Sequence, residues 1–137
     1  MERIIASVEG SLDGPLMILV GGIHGNEISG VRAAEDVLNT LTLNSVPLRG
    51  RVIGIRGNLQ ALEIDKRYVD HDLNRSWIKE MVNRAYENPD ATAENQEVIE
   101  ILDFFDSLPV RAHAPKILVD LHSTSSEKGD FIIIPED

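Results

Sequence analysis

At 137 residues, with 42% hydrophobic and 26% charged side chains, the chain has the length and balance of one soluble globular domain with a core of its own. Acidic residues outnumber basic ones 23 to 13, for a formal net charge of -10, and no basic stripe could track a phosphate backbone, so nucleic acid is excluded as an expected partner. No run approaches the roughly 18 apolar residues that span a bilayer, and the start, Met1-Glu2-Arg3-Ile4-Ile5-Ala6, lacks a basic segment followed by a long apolar one, which leaves the cytoplasm as the expected location.

Residues 3–8 and 16–20 are β-branched and apolar runs that read as strands. Ile28, Val31, Ala34, Leu38 and Leu41 then recur at the spacing of a one-sided helix, before a third strand at residues 51–55. Residues 65–90 are polar and weakly periodic, with Asn88-Pro89-Asp90 as a turn signal, and read as a long functional loop holding a short helix at most. A second helical face runs through Val98, Ile101, Leu102, Phe105 and Leu108, and Pro109 must stop it. Residues 116–121 and 131–134 read as further strands. Apolar strands alternating with amphipathic helices predict an α/β fold, a mostly parallel or mixed sheet with helices on both faces, in a single domain spanning residues 1–137.

Ligands of open α/β sheets sit outside the carboxyl ends of the strands, and three motifs fall there. Gly-Gly-Ile-His-Gly-Asn-Glu at residues 21–27 follows the second strand, and a spacing of three lets His24 and Glu27 converge on one point. Asp-Leu-His at residues 120–122 ends another strand, and the two-residue period puts Asp120 on the same side as His122. With no cysteine in the chain, any metal must be held by His, Asp or Glu. Two imidazoles and a carboxylate are a common ligand set for a catalytic zinc. The plainer reading makes His24 and Glu27 a helix-start hydrogen bond and His122 a satisfied strand-end histidine. For HxxE alone the plainer reading has the advantage, because the pattern is short and common by chance; the strand-end Asp-Leu-His and the loop described next shift the balance to the metal.

That loop, Lys66-Arg67-Tyr68-Val69-Asp70-His71-Asp72-Leu73-Asn74-Arg75, concentrates arginines in an otherwise acidic chain. A guanidinium fork suits a carboxylate, so Arg67, Asn74 and Arg75 are candidates for holding an anionic substrate; a solvated loop in which Asp70 and Asp72 pair with the arginines explains the same spacing. His71 could in principle replace His122 as a ligand but has no strand to fix it, and His113 reads as an exposed loop residue.

Taken together and in this order, Gly22-Ile23-His24-Gly25-Asn26-Glu27, Arg67-Tyr68 with Asp72-Leu73-Asn74-Arg75, and Asp120-Leu121-His122-Ser123-Thr124 resemble the succinylglutamate desuccinylase/aspartoacylase family of zinc amidohydrolases, which have a zinc-carboxypeptidase-like fold. The resemblance implies one Zn2+ held by His24, Glu27 and His122, with Asp72 orienting the first histidine. It also implies that Arg67, Asn74 and Arg75 hold the substrate carboxylate or polarise its amide carbonyl, and that Tyr68 lines the pocket. The substrate would be a small anionic N-acyl amino acid of the acetyl-aspartate or succinyl-glutamate type.

One part of the family pattern has no match. The general-base glutamate expected well downstream of the third ligand would lie beyond Asp137, and neither Glu127 nor Glu136 occupies a corresponding position. The family's C-terminal β domain is missing as well. The chain therefore reads as the N-terminal, truncated portion of a longer enzyme, inactive alone, whose open sheet edge favours a homo-oligomer. A carboxypeptidase-like peptidase or amidase, or a non-catalytic metal-binding domain, are the competing expectations.

Overall fold

The computed structural model describes residues 1–108, 115–123 and 132–133. Four strands, β1 (Ile4–Glu9), β2 (Leu12–Gly21), β3 (Arg49–Arg56) and β4 (Lys116–Leu121), form one sheet in the order β1-β3-β2-β4. β2 runs parallel to both its neighbours, with Ile18 opposite Ile53 on β3 and Leu118 on β4. β1 is antiparallel to β3, so the sheet is mixed.

The alternation of β2 is apolar on both faces, and each face meets a helical layer. Leu16, Ile18 and Val20 join Ile53 and Ile55 of β3 in a buried cluster closed by Val98 and Ile101. Those last two belong to α4 (Ala93–Ser107), and Ala85 of α3 (Lys79–Glu87) packs into the same cluster. On the other face Leu19 and Val52 pack against Ala34 and Leu38 of α1 (Ile28–Leu43). Period-two strands that bury both sets of side chains must be covered twice, which is why the helices divide between the faces.

Glycine brings α1 unusually close to the sheet. A Cβ on Gly30 would collide with the carbonyl oxygen of Leu121, the last residue of β4. This approach sets the start of α1 directly beside the end of β4. α4 stops at Ser107, and Leu108 turns extended as a residue before proline prefers.

The segment 65–90 holds more order than its composition predicts. It contains 3-10 turns at Leu73–Arg75 and Pro89–Ala91 as well as the nine-residue α3. Only Ala85 of α3 is fully buried, too narrow an apolar stripe to register as a period. The five-residue α2 (Leu59–Glu63) has no sequence period at all, although Asn58 caps it by accepting from the Ala61 amide. Of the strand expected over residues 131–134, only Ile132 and Ile133 are described, and both are exposed and outside the sheet. Among the described residues no helix is long and apolar enough to cross a membrane.

Candidate metal centre

From β2 the chain crosses through α1 to β3 on one side, then returns past β2 to β4 on the other. The carboxyl ends of β2 and β4 therefore diverge from a switch point, the position where α/β sheets bind ligands. Gly21 pairs with Leu121 in register, so His24 and His122 leave neighbouring strands at the same edge. Their rings lie 5.0 Å apart between centroids, tilted by 54°.

Glu27 stands between them. It is the residue before α1, yet its side chain makes no cap hydrogen bond. Instead Oε1 lies 2.9 Å from His24 Nδ1 and Oε2 lies 3.1 Å from His122 Nδ1. The Ser123 amide donates to Oε2 at 2.9 Å. His24 and Glu27 therefore do meet at the start of α1, where the Glu27 amide also donates to the His24 carbonyl at 3.0 Å, but the same carboxylate reaches His122 as well. The turn that delivers His24 is packed tightly, since a Cβ on Gly25 would collide with the Ala61 carbonyl of α2.

The other nitrogen of each ring meets a different carboxylate. His24 Nε2 is 3.0 Å from Asp72 Oδ1, and His122 Nε2 is 2.7 Å from Asp120 Oδ2. Each ring thus faces a carboxylate at both nitrogens; with a cation bound between them, Asp72 and Asp120 would hold hydrogens on the Nε2 atoms and free the Nδ1 lone pairs as donors. One donor atom from each of His24, Glu27 and His122 falls within a span of 4.8 Å, so these three could hold a metal ion.

Charge in the site is set by opposed effects. Burial raises the Glu27 carboxyl, but the Ser123 amide, hydrogen bonds with His122 and His24, and the charge of His24 outweigh it and hold the group below the usual carboxylate range. Burial likewise raises Asp72, and His24, the Asn74 amide and the charges of His24 and Arg67 bring it down again. Both are ready to serve as anions.

Arg67 leans over this group, with Nη1 3.5 Å from Glu27 Oε1 and Nη2 3.5 Å from Asp72 Oδ2. Arg75 is far more open, its side chain 87% exposed and its Nε 3.9 Å from Asp72 Oδ2. Asn74 donates its backbone amide to Asp72 at 3.0 Å. Tyr68 is exposed and makes no hydrogen bond among the described residues. His71 does not join the ligand group: its Nε2 is 3.1 Å from Ser76 Oγ and its Nδ1 3.8 Å from Glu94. His113, Glu127 and Glu136 lie outside the described residues.

Sequence reasoning missed the buried acids of α4. Glu94 is fully buried, and Glu97 pairs with Arg3 at 2.6 Å while accepting from the Gln60 amide at 3.0 Å. The available signal was their place on the apolar side of α4, next to Val98 and Ile101, where an unpartnered acid would be costly.

A mixed α/β sheet with helices on both faces, carrying two imidazoles and one carboxylate at a switch point, defines an α/β domain with a candidate metal centre. Comparison with known proteins narrows the class. The model of the succinylglutamate desuccinylase/aspartoacylase catalytic domain matches residues 13–134, and the chain belongs to that family. A probable aspartoacylase from Prochlorococcus marinus is 31% identical over 129 residues, which cover 90% of this chain and 38% of the relative. An N-acyl-aromatic-L-amino acid amidohydrolase (carboxylate-forming) from Xenopus laevis is 30% identical, over 86% of this chain and 37% of its own length. The crystal structure of the succinylglutamate desuccinylase from Chromobacterium violaceum superposes with a TM-score of 0.63 at 26% identity, covering 85% of this chain and 35% of that one. The chain thus spans little more than a third of the length of these relatives.

Proposed function

We propose that this chain supplies the metal-holding and anion-holding part of an enzyme that hydrolyses the amide bond of an N-acyl amino acid. The observation that carries the reading is the convergence of His24 Nδ1, His122 Nδ1 and Glu27 while Asp72 and Asp120 occupy the far side of each ring. That donor set, two imidazole nitrogens and one carboxylate, fits Zn2+. When bound, the metal would supply Lewis acidity toward a carbonyl oxygen and acidify water.

The residues of the chain divide the remaining work. Asp72 and Asp120 fix the ring tautomers and raise the basicity of the ligating nitrogens. Arg67, held beside Glu27, is placed to stabilise negative charge growing on the amide oxygen. Arg75 and Asn74, further out and open to solvent, hold the substrate carboxylate, and Tyr68 flanks them. Removal of the proton from the attacking water is assigned to a glutamate in the additional length that the relatives possess. The names of the relatives, which include acyl-aspartate, acyl-aromatic and succinyl-glutamate hydrolases, support the N-acyl amino acid class.

The test is hydrolysis of acetyl-aspartate, succinyl-glutamate and an N-acetyl aromatic amino acid by the full-length protein before and after chelation. At least one should be cleaved, with activity lost on chelation and restored by Zn2+. A zinc-loaded full-length protein that cleaves none of them would overturn the proposal.

A further inference from the structure

We propose that Glu94 is a positioning residue for the candidate centre, holding the loop that carries Arg67 and Asp72 in place against the turn that carries His24. The side chain is 0% exposed and accepts four hydrogen bonds. Oε1 takes the Val69 amide at 2.8 Å and the Asn58 side-chain amide at 2.9 Å, while Oε2 takes the Asp70 amide at 2.9 Å and the His71 amide at 3.1 Å. Three consecutive backbone N–H groups thus close around one internal carboxylate, the arrangement in which successive amides bind an anion.

These amides sit between Arg67 and Asp72 in the chain, so their position fixes both side chains. Asn58 extends the connection, because its backbone amide donates to the Gly22 carbonyl at 2.9 Å, two residues before His24. The Gly25 amide in turn donates to the Arg67 carbonyl at 3.2 Å. Asp70 returns the contact by accepting from the Ala93 amide at 2.8 Å, at the start of the helix that carries Glu94. Glu94 is therefore the group through which α4, the His24 turn and the Arg67–Asp72 loop meet, and the His24 Nε2 to Asp72 contact of 3.0 Å depends on it.

The charge and the two acceptor oxygens are what the site needs. A glutamine would turn an NH2 donor toward at least one backbone N–H and leave it unpaired. The loop would then relax, and Asp72 would lose its hold on His24. The zinc arm of the following test rests on the metal reading above, and the ring-nitrogen arm does not.

Zn2+ affinity is measured by competition calorimetry for the wild type, Glu94→Gln, Asp72→Asn and the double variant, and the His24 ring is followed by long-range 1H–15N spectra of the metal-free chain. Loss of an outer carboxylate costs about 10- to 100-fold in metal affinity. We expect Glu94→Gln to lose affinity within that range, and the double variant to bind no more weakly than Asp72→Asn alone, because Glu94 acts through Asp72. Losses that multiply, or a Glu94→Gln chain with wild-type affinity, would refute the proposal. If the wild type takes up no zinc, the metal reading fails by itself. The positioning claim is then decided by the spectra: a His24 Nε2–H signal changed alike by Glu94→Gln and Asp72→Asn supports it, and one unchanged by Glu94→Gln refutes it. Should Glu94→Gln not fold, Glu94→Asp replaces it in both arms, with an intermediate effect expected and wild-type behaviour overturning the claim.

Discussion

Glu27 Oε2 lies 3.1 Å from His122 Nδ1, although 95 residues separate the two in the chain. The contact exists because parallel pairing of β2 with β4 brings their ends together and because Gly30 lets α1 begin against Leu121. Fold and site are therefore coupled at α1, and a change in helix packing should be read out at the candidate metal centre.

Gly30→Ala tests that coupling. Alanine is the better helix former, so an isolated helix would gain from the change. Here the added methyl collides with the Leu121 carbonyl, and overpacking of this kind costs about 1–3 kcal/mol. Chemical denaturation should show net destabilisation, and zinc affinity should fall with it as Glu27 moves. A stabilised variant would mean that α1 and β4 are not in close contact.

The two arginines should separate kinetically in the full-length protein. Arg75→Ala, at an open position, should mainly raise KM for substrates bearing a free carboxylate. Arg67→Ala should mainly lower kcat, since in the proposed mechanism only Arg67 would face charge that grows in the transition state. An Arg75→Ala protein equally impaired on neutral and anionic substrates would remove Arg75 from the carboxylate-holding role.

The 137-residue chain, even saturated with zinc, should hydrolyse N-acyl amino acids poorly. A positioned general base contributes about 10²–10⁴-fold, and among the described residues every carboxylate near the centre already contacts an imidazole. Side-by-side assays with the full-length protein at equal zinc occupancy decide this. Comparable rates would place the base within the chain and make Glu127→Gln the next variant.

Acid should weaken the fold partly through Glu94. Burial raises this carboxyl, but the Val69 amide, the Asn58 side chain and the Asp70 and His71 amides outweigh it and hold it below its ordinary 4.5. A folded-state value below the unfolded one adds stability above the unfolded value, and that stability disappears as pH falls through the folded value. The stability gap between wild type and Glu94→Gln, measured by denaturant melts, should therefore be constant above about pH 5 and narrow below it. A gap that stays constant into acid would show that Glu94 is not held as an anion.

Much of this architecture was legible in the residues themselves. The sheet-forming runs around Leu16–Val20 and Lys116–Leu121, and the helical spacing from Ile28 and from Val98, reflect burial on one or two faces, which period alone reveals. The antiparallel placement of β1 was not legible, because strand direction depends on the connection and not on side-chain pattern. The convergence of the candidate trio could be read because His24 and His122 follow strands that point one way. The buried acids could not: Glu94 gets its role from Val69, Asp70, His71 and Asn58, all distant in sequence and mostly through backbone groups that leave no residue signature. His71, set aside as a ligand because no strand fixes it, has its ring turned to Ser76.

Titration of the metal-free chain with Zn2+, with elemental analysis of the product, tests the central claim most directly when wild type is compared with His122→Ala. One zinc per chain is predicted for the wild type. Affinity should drop by about 100-fold or more in the variant, since one of three protein ligands is gone. A His122→Ala chain that keeps full affinity, or a folded wild type that binds no divalent metal, would contradict the assignment of His24, Glu27 and His122 as a metal centre.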